Sequence, residues 1–373
     1  MIPFLKKNYL LKQLNDSLEL LSPYKHSPRS LVQDYFKEQF NQKNFYLTKS
    51  CTQSLELAIL TLKIPHGSEV ILPSYGFVSL ANAVASNGLK CIFVDCDPDT
   101  MNISTDAIQN AISPQTAALI TINYGGVACD YDSIREICRT AQIYLIEDNA
   151  HGIYAQYKGA YLGRFGDIST ISFDYMKNIS CDEGGGISIN REQLSSSFFQ
   201  CYQFGTNKQD FIEGKVSSYE WMGIGTNSLL AEPLASILMT QLLQSEKIIH
   251  EYQLKWNRYK QQLLELEQKN QIEMAKIPDY AGHNAHMFWI KTRHSNERAQ
   301  LMDYLFAKGI QTAFHYIPLH LSQFGKKSGE FRGVDQYTSR DSERLLRLPL
   351  YYSLTHTEQA FIIESIYEYY RKN

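Results

Sequence analysis

Between Phe45 and Asn190, short apolar runs alternate with segments of helix-like spacing, and this alternation constrains the fold more than any other feature of the chain. Val70-Ile71-Leu72, Cys91-Ile92-Phe93-Val94, Ala118-Leu119-Ile120-Thr121-Ile122 and Tyr144-Leu145-Ile146 read as buried strands. Ser79–Asn87 and Tyr131–Thr140 read as helices between them. Strands alternating with helices imply an α/β fold whose mostly parallel sheet is flanked by helices on both faces. Ligands of such sheets sit at the carboxyl ends of the strands. A chain of 373 residues is long for one core, so a second, smaller domain is expected. From Leu229 to about Lys269 the only proline is Pro233, which predicts one or two long helices. Further on, His286–Lys291 reads as a strand, Glu297–Lys308 as a helix and Glu358–Tyr370 as a closing helix. The expected division is a large domain over 1–230, connecting helices over 231–274 and a small C-terminal α+β domain over 275–373.

Thirty-six basic and 39 acidic residues leave a net charge of −3, which gives no reason to expect nucleic acid or an anionic membrane as partner. Seven scattered cysteines, without a CxxC pair or a Cys/His metal spacing, suggest a reduced cytoplasmic chain with neither disulfides nor zinc. The start, Met1 to Lys7, lacks the apolar run of a signal peptide, and no run of 18 apolar residues exists.

Four segments at strand ends could carry chemistry. Ile146-Glu147-Asp148-Asn149-Ala150-His151 brings two acids to a strand terminus; a helix cap explains an Asp there equally well. Ser172-Phe173-Asp174-Tyr175-Met176-Lys177 follows the apolar run Ile168–Ile171 and precedes Glu183-Gly184-Gly185-Gly186. Those glycines suit either a tight turn or close approach of backbone to a ligand. Thr48-Lys49-Ser50-Cys51-Thr52 opens an expected helix, Gln53–Leu62, whose first N–H groups could bind phosphate. Pro73-Ser74-Tyr75-Gly76-Phe77 places an aromatic ring after a strand. A lysine, an acid, phosphate donors and an aromatic plate are the groups that pyridoxal 5'-phosphate (PLP) requires.

Further segments extend the pattern: Tyr124-Gly125-Gly126-Val127-Ala128-Cys129-Asp130, Asn284-Ala285-His286-Met287-Phe288, Phe314-His315-Tyr316-Ile317-Pro318-Leu319-His320 and Ser342–Leu350. In their order, from about residue 45 to the end, these segments resemble the DegT/StrS-type sugar aminotransferases, PLP enzymes of fold type I. The resemblance implies that Lys177 holds PLP as an imine and that Asp148 pairs with the pyridine nitrogen. It implies that Phe77 stacks on the ring, that Cys51, Thr52 and Ser172 bind the phosphate, and that His151 contacts the phenolic oxygen. Asn227, in Gly225-Thr226-Asn227, would reach the phosphate of a neighbouring subunit, which makes the unit a homodimer with shared sites. Tyr316 and His320, with His315 and His286, would line the substrate pocket.

The activity implied is amino transfer, with L-glutamate as donor, to a nucleotide-linked 4-keto-6-deoxyhexose. The dTDP-4-amino-4,6-dideoxygalactose type of product, used in surface polysaccharide, fits this subgroup. The alternatives are a non-catalytic PLP-binding sensor and a PLP-dependent sugar dehydratase, in which a His stands at the lysine position. The chain departs from the family at several places: His151 replaces a usual Gln, Asn123 a usual His, Gly76 a usual Thr and Leu229 a frequent Arg. Ser22–Ser30 also lacks the glycine-rich pattern common in that region.

Overall fold

A computed structural model of the protein describes residues 1–7, 15–18 and 27–372. Of the Ser22–Ser30 stretch, residues 22–26 lie outside the described residues. In chain order the strands are β1 (Phe45–Thr48), β2 (Glu69–Pro73), β3 (Lys90–Val94), β4 (Thr116–Ile122), β5 (Tyr144–Asp148), β6 (Gln156–Tyr157), β7 (Ala160–Tyr161), β8 (Ile168–Ser172), β9 (Gly185–Ile189), β10 (Ile272–Met274), β11 (Ala281–Gly282), β12 (Phe288–Thr292), β13 (Gly329–Phe331) and β14 (Leu345–Leu348).

Eight of these form one sheet in the order β1-β9-β8-β5-β4-β2-β3-β13. Neighbours pair in parallel except at β9, which runs antiparallel to both β8 and β1. Every residue of β2 is buried, because apolar side chains on both faces are covered. Val70 and Leu72 pack with the helices Cys51–Leu62 and Val78–Ser86, whereas Ile71 packs on the opposite side with Ile108 and Ile134. The alternation of side chains along a strand produces both layers. A second sheet, β10-β12-β14, carries the C-terminal part under the helices Ser295–Ala307 and His356–Lys372.

The expected elements appear with shifted ends. The helix expected from Gln53 begins at Cys51, since the Ser50 hydroxyl caps it by accepting the Gln53 N–H at 3.2 Å. The stretch expected as one or two long helices is three, Glu232–Leu242, Ser245–Gln262 and Leu264–Gln268. Two placements depart from the grouping expected from sequence. Ile2 bridges to Ile310, so the start of the chain lies on the C-terminal part. Conversely, β13 leaves the C-terminal part and extends the large sheet beyond β3. Gly329 permits that approach: a Cβ there would lie 2.0 Å from the Cys91 carbonyl oxygen. All seven cysteines are buried and none is paired in a disulfide. Among the described residues no helix is long and apolar enough to cross a membrane, and no His/Cys/Asp/Glu cluster could hold a metal.

Candidate active site

The carboxyl ends of β2, β4, β5 and β8 open on one side of the sheet, and each delivers a residue of interest. At the end of β5, Glu147 and Asp148 point to opposite faces and do different things. Glu147 is fully buried and accepts from the backbone N–H groups of Gly163 (2.7 Å) and Phe165 (2.8 Å) and from the Ser169 hydroxyl (2.9 Å). It anchors the 163–169 loop. Asp148 accepts the Ala150 N–H at 2.9 Å, with the Cys51 thiol 3.9 Å away. The cap-like bond is therefore present, but it leaves most of a carboxylate's acceptor capacity unused. Burial pushes Asp148 up to about 6, partly offset by the Ala150 N–H and the Lys177 charge.

The residues expected to cradle a phosphate lie at the helix start and on the β8–β9 pair. Ser172 is in register with Gly185. A Cβ on Gly185 would lie 2.4 Å from both the Cys51 nitrogen and the Ser50 carbonyl carbon, so only glycine lets β9 pass beside the helix end. Gly185 and Gly186 lie in a strand rather than a tight turn, and the close approach at Gly185 is to the protein's own helix start. The N–H groups of Cys51 and Thr52 belong to the first helical turn and have no intrahelical carbonyl to bond. Phe77 stands half exposed at the mouth, its ring 6.3 Å from that of Tyr316.

Opposite lies a cluster of rings. His151 and His286 stack at 4.5 Å, and His315 stacks on Tyr316 at 4.0 Å. Their hydrogen bonds set the tautomers. His151 Nδ1 accepts the Gly125 N–H at 3.3 Å, so a neutral ring carries its proton on Nε2 and can donate from there. The Asn178 amide oxygen lies 2.6 Å from His286 Nδ1, which must therefore be the protonated nitrogen. An Arg347 N–H donates to His315 Nε2 at 2.6 Å, leaving Nδ1 to donate to the Tyr124 hydroxyl at 3.3 Å. Burial holds all three histidines below their usual value, helped by the nearby Lys177 and Arg347 cations. Lys177 is mostly buried, and burial lowers its ammonium from 10.5 despite the opposing charges of Cys51, Asp148 and Asp174.

Two expected residues stand apart from this cluster. His320 has both ring nitrogens engaged, Nδ1 with the Ser74 hydroxyl at 2.6 Å and Nε2 with Asp335 at 3.2 Å. It holds Ser74, which follows β2. Asn227 is exposed, bridged only through its backbone to Gln203 among the described residues. Tyr75, Tyr124, Asn178 and Arg347 were not singled out from sequence. Arg347 had a signal, a cation inside the apolar run Leu345-Leu346-Arg347-Leu348.

A model of the DegT/DnrJ/EryC1/StrS aminotransferase family matches residues 31–367. The chain belongs to this family. It is a PLP-dependent sugar aminotransferase. It is 30% identical over 344 residues to GDP-perosamine synthase of Escherichia coli O157:H7, covering 90% of this chain and 89% of that one. Its fold matches the aminotransferase TlmJ from Streptoalloteichus hindustanus with a TM-score of 0.88, at 25% identity over 98% of each chain. It matches NtdA from Bacillus subtilis with bound cofactor PMP with a TM-score of 0.87, at 27% identity over 98% of this chain and 84% of that one. The cradle at Gly185, the spare acceptor capacity of Asp148 and the depressed amine of Lys177 fit a PLP molecule in this aminotransferase.

The neutral histidines make the cofactor-free enzyme acid-sensitive. An unfolded chain binds protons at histidine near pH 6.5, whereas the folded sites refuse them until far lower pH. The stability they contribute is complete above about pH 6.5 and is lost as pH falls, by up to about 1.4 kcal/mol per pH unit for each. Asp148, raised to about 6, opposes part of this loss. Melting curves of cofactor-free protein from pH 7.5 to 5 should therefore fall with acid, and His286→Gln should flatten the slope. A slope unchanged by that substitution would mean His286 is already charged.

Proposed function

We propose that this aminotransferase converts a nucleotide-linked 4-keto-6-deoxyhexose, carried on dTDP, to the 4-amino-4,6-dideoxyhexose, with L-glutamate as donor, for surface polysaccharide. The observation that carries this reading is Lys177 lying within the electrostatic reach of Asp148 at the strand ends, facing a pocket of neutral rings. PLP, when bound, supplies an electron sink for the carbon bearing the transferred nitrogen. Cys51 and Thr52 N–H groups and Ser172 would hold its phosphate, Phe77 would cover its ring, and Asp148 would keep a proton on its pyridine nitrogen. His151, protonated on Nε2, would donate to its phenolic oxygen. Lys177, its ammonium lowered by burial, would take the proton from the donor's Cα and return one to the adjacent cofactor carbon. Tyr316, His315 and His286 would present the sugar, with His320 positioning Ser74. The balance is one amino group and two electrons moved from amino acid to keto-sugar. Lys177 itself opposes the dehydratase alternative, which needs a histidine there.

Glutamate and the loaded enzyme should be combined with a panel of 4-keto-6-deoxyhexoses on dTDP, GDP and UDP, with products identified by mass and NMR. An amino-sugar from the dTDP substrate supports the reading. Turnover confined to GDP substrates would replace the nucleotide, and no amino-sugar from any of them would end the proposal.

The segment around Asn227 supports a homodimer with shared sites. Trp221 is 79% exposed and Ile224 74%, with Phe204, Ile212 and Met222 also exposed nearby in sequence. So much apolar surface on one segment marks a surface that meets protein. If Asn227 of one subunit serves the site of the other, mixing Lys177→Ala with Asn227→Ala enzyme under subunit exchange restores intact sites. Activity should then rise above either parent. Mixing that restores nothing would place both residues in one subunit.

A further inference from the structure

Arg347, in the middle of β14, is 7% exposed, and among the described residues no carboxylate pairs with it. One guanidinium N–H is spent on His315, a neutral ring, at 2.6 Å, and Phe4 lies over the guanidinium at 4.7 Å. Its Nε is buried without any hydrogen-bond partner. A guanidinium held this way is an unneutralised buried charge, which is costly unless an anion arrives to meet it. The residues around it are those of the active site: His315 bonds Tyr124 at 3.3 Å, and Tyr124 packs against His151 and Tyr316. We propose that Arg347 receives the carboxylate of the incoming amino donor.

Besides the side-chain carboxylate of a donor such as glutamate, three anions enter this site, and their chemistry separates them. The cofactor's phosphate has its own expected cradle, the Cys51 and Thr52 N–H groups beside Gly185, whereas Arg347 is in contact with His315 and Phe4. The sugar's diphosphate is attached at C1, across the pyranose ring from the reacting C4, so it lies away from Lys177. The donor's carboxylate is one bond from the carbon that Lys177 deprotonates. Only this last anion must lie deep beside the lysine. A planar guanidinium with Nε and a second nitrogen available also suits a carboxylate, which it can bind through two parallel hydrogen bonds. Arg347 and Lys177 oppose one another's charge, which favours the unprotonated amine until the carboxylate neutralises the arginine. Loading of the donor would then remove the arginine's share of that depression, burial remaining the larger cause.

The inference rests on an amino acid being the donor, and ping-pong chemistry lets its two halves be read apart. Loaded wild type, Arg347→Lys and Arg347→Ala would be titrated with glutamate while the visible absorbance is followed. If glutamate does not discharge the wild type, the comparison is run with glutamine, aspartate or alanine, whichever does. Failure of glutamate therefore faults the donor's identity and not Arg347. Half-saturation in Arg347→Ala should rise at least about thirtyfold, with Arg347→Lys between it and wild type. The half-saturation for the nucleotide-linked keto-sugar in the second half-reaction should rise several times less. Calorimetry adds a readout without turnover: glutarate should bind wild type and lose affinity in folded Arg347→Ala, while dTDP binding holds. Unchanged donor and glutarate affinities in folded Arg347→Ala would overturn the proposal. A loss confined to dTDP would overturn it too, giving the arginine to the diphosphate.

Discussion

Replacing Lys177 with alanine is expected to lower amino transfer by about four orders of magnitude or more, because one residue serves as both anchor and proton carrier. Two features of the structure support so large an effect. The amine is mostly buried, so solvent cannot readily take its place as base. Burial also lowers its ammonium below the usual lysine range, which eases release of the proton that a base must lose. Lys177→Arg should be nearly as inactive, since guanidinium keeps the charge without a free lone pair. Single-turnover measurements with glutamate would isolate the step. Borohydride reduction of the loaded enzyme followed by peptide mapping should place the label on Lys177. Label on another lysine, or alanine-enzyme activity within tenfold of wild type, would remove Lys177 from the reaction.

Asp148→Asn should lower turnover by roughly a hundredfold to a thousandfold, the scale of losing one preorganised charge at a reacting centre. The substitution separates the two readings of this residue. Asparagine can still accept the Ala150 N–H through its amide oxygen, so the local turn survives. It cannot carry the negative charge that would keep a proton on the pyridine nitrogen. Turnover should fall while the melting temperature of the cofactor-free protein holds or rises, because a buried carboxylate raised to about 6 is a liability at neutral pH. Near-normal turnover would leave Asp148 as a cap alone.

The parallel sheet and its loops were legible because burial on both faces leaves apolar runs such as Val70–Leu72, which few other folds explain. The pair Glu147-Asp148 shows where reading stopped. Alternation says that adjacent acids face opposite ways, but not which one meets the loop 163–169 and which the pocket. The three glycines after Glu183 were ambiguous for a similar reason: a turn and a close crossing of backbones demand the same missing side chain. Arg347 was hidden by its neighbours, since β14 is buried throughout and a single charge in it reads as an irregularity. The segment around His320 points to the pocket, yet its partner Ser74 is far from it in sequence.

The strand β13 bears on how the protein must be made. It pairs with β3 in parallel, and its arginine neighbour, Arg332, grips Glu69 through two nitrogens at 2.7 and 2.8 Å. During synthesis, β3 leaves the ribosome long before Gly329–Phe331 exists. Until then, the bare rim Lys90–Val94 is open to any other nascent chain. Premature termination after β3 but before residue 329 would thus release a fragment with an adhesive border, not a smaller working protein. The three residues Gly329–Phe331 act as the clasp that ends this exposure.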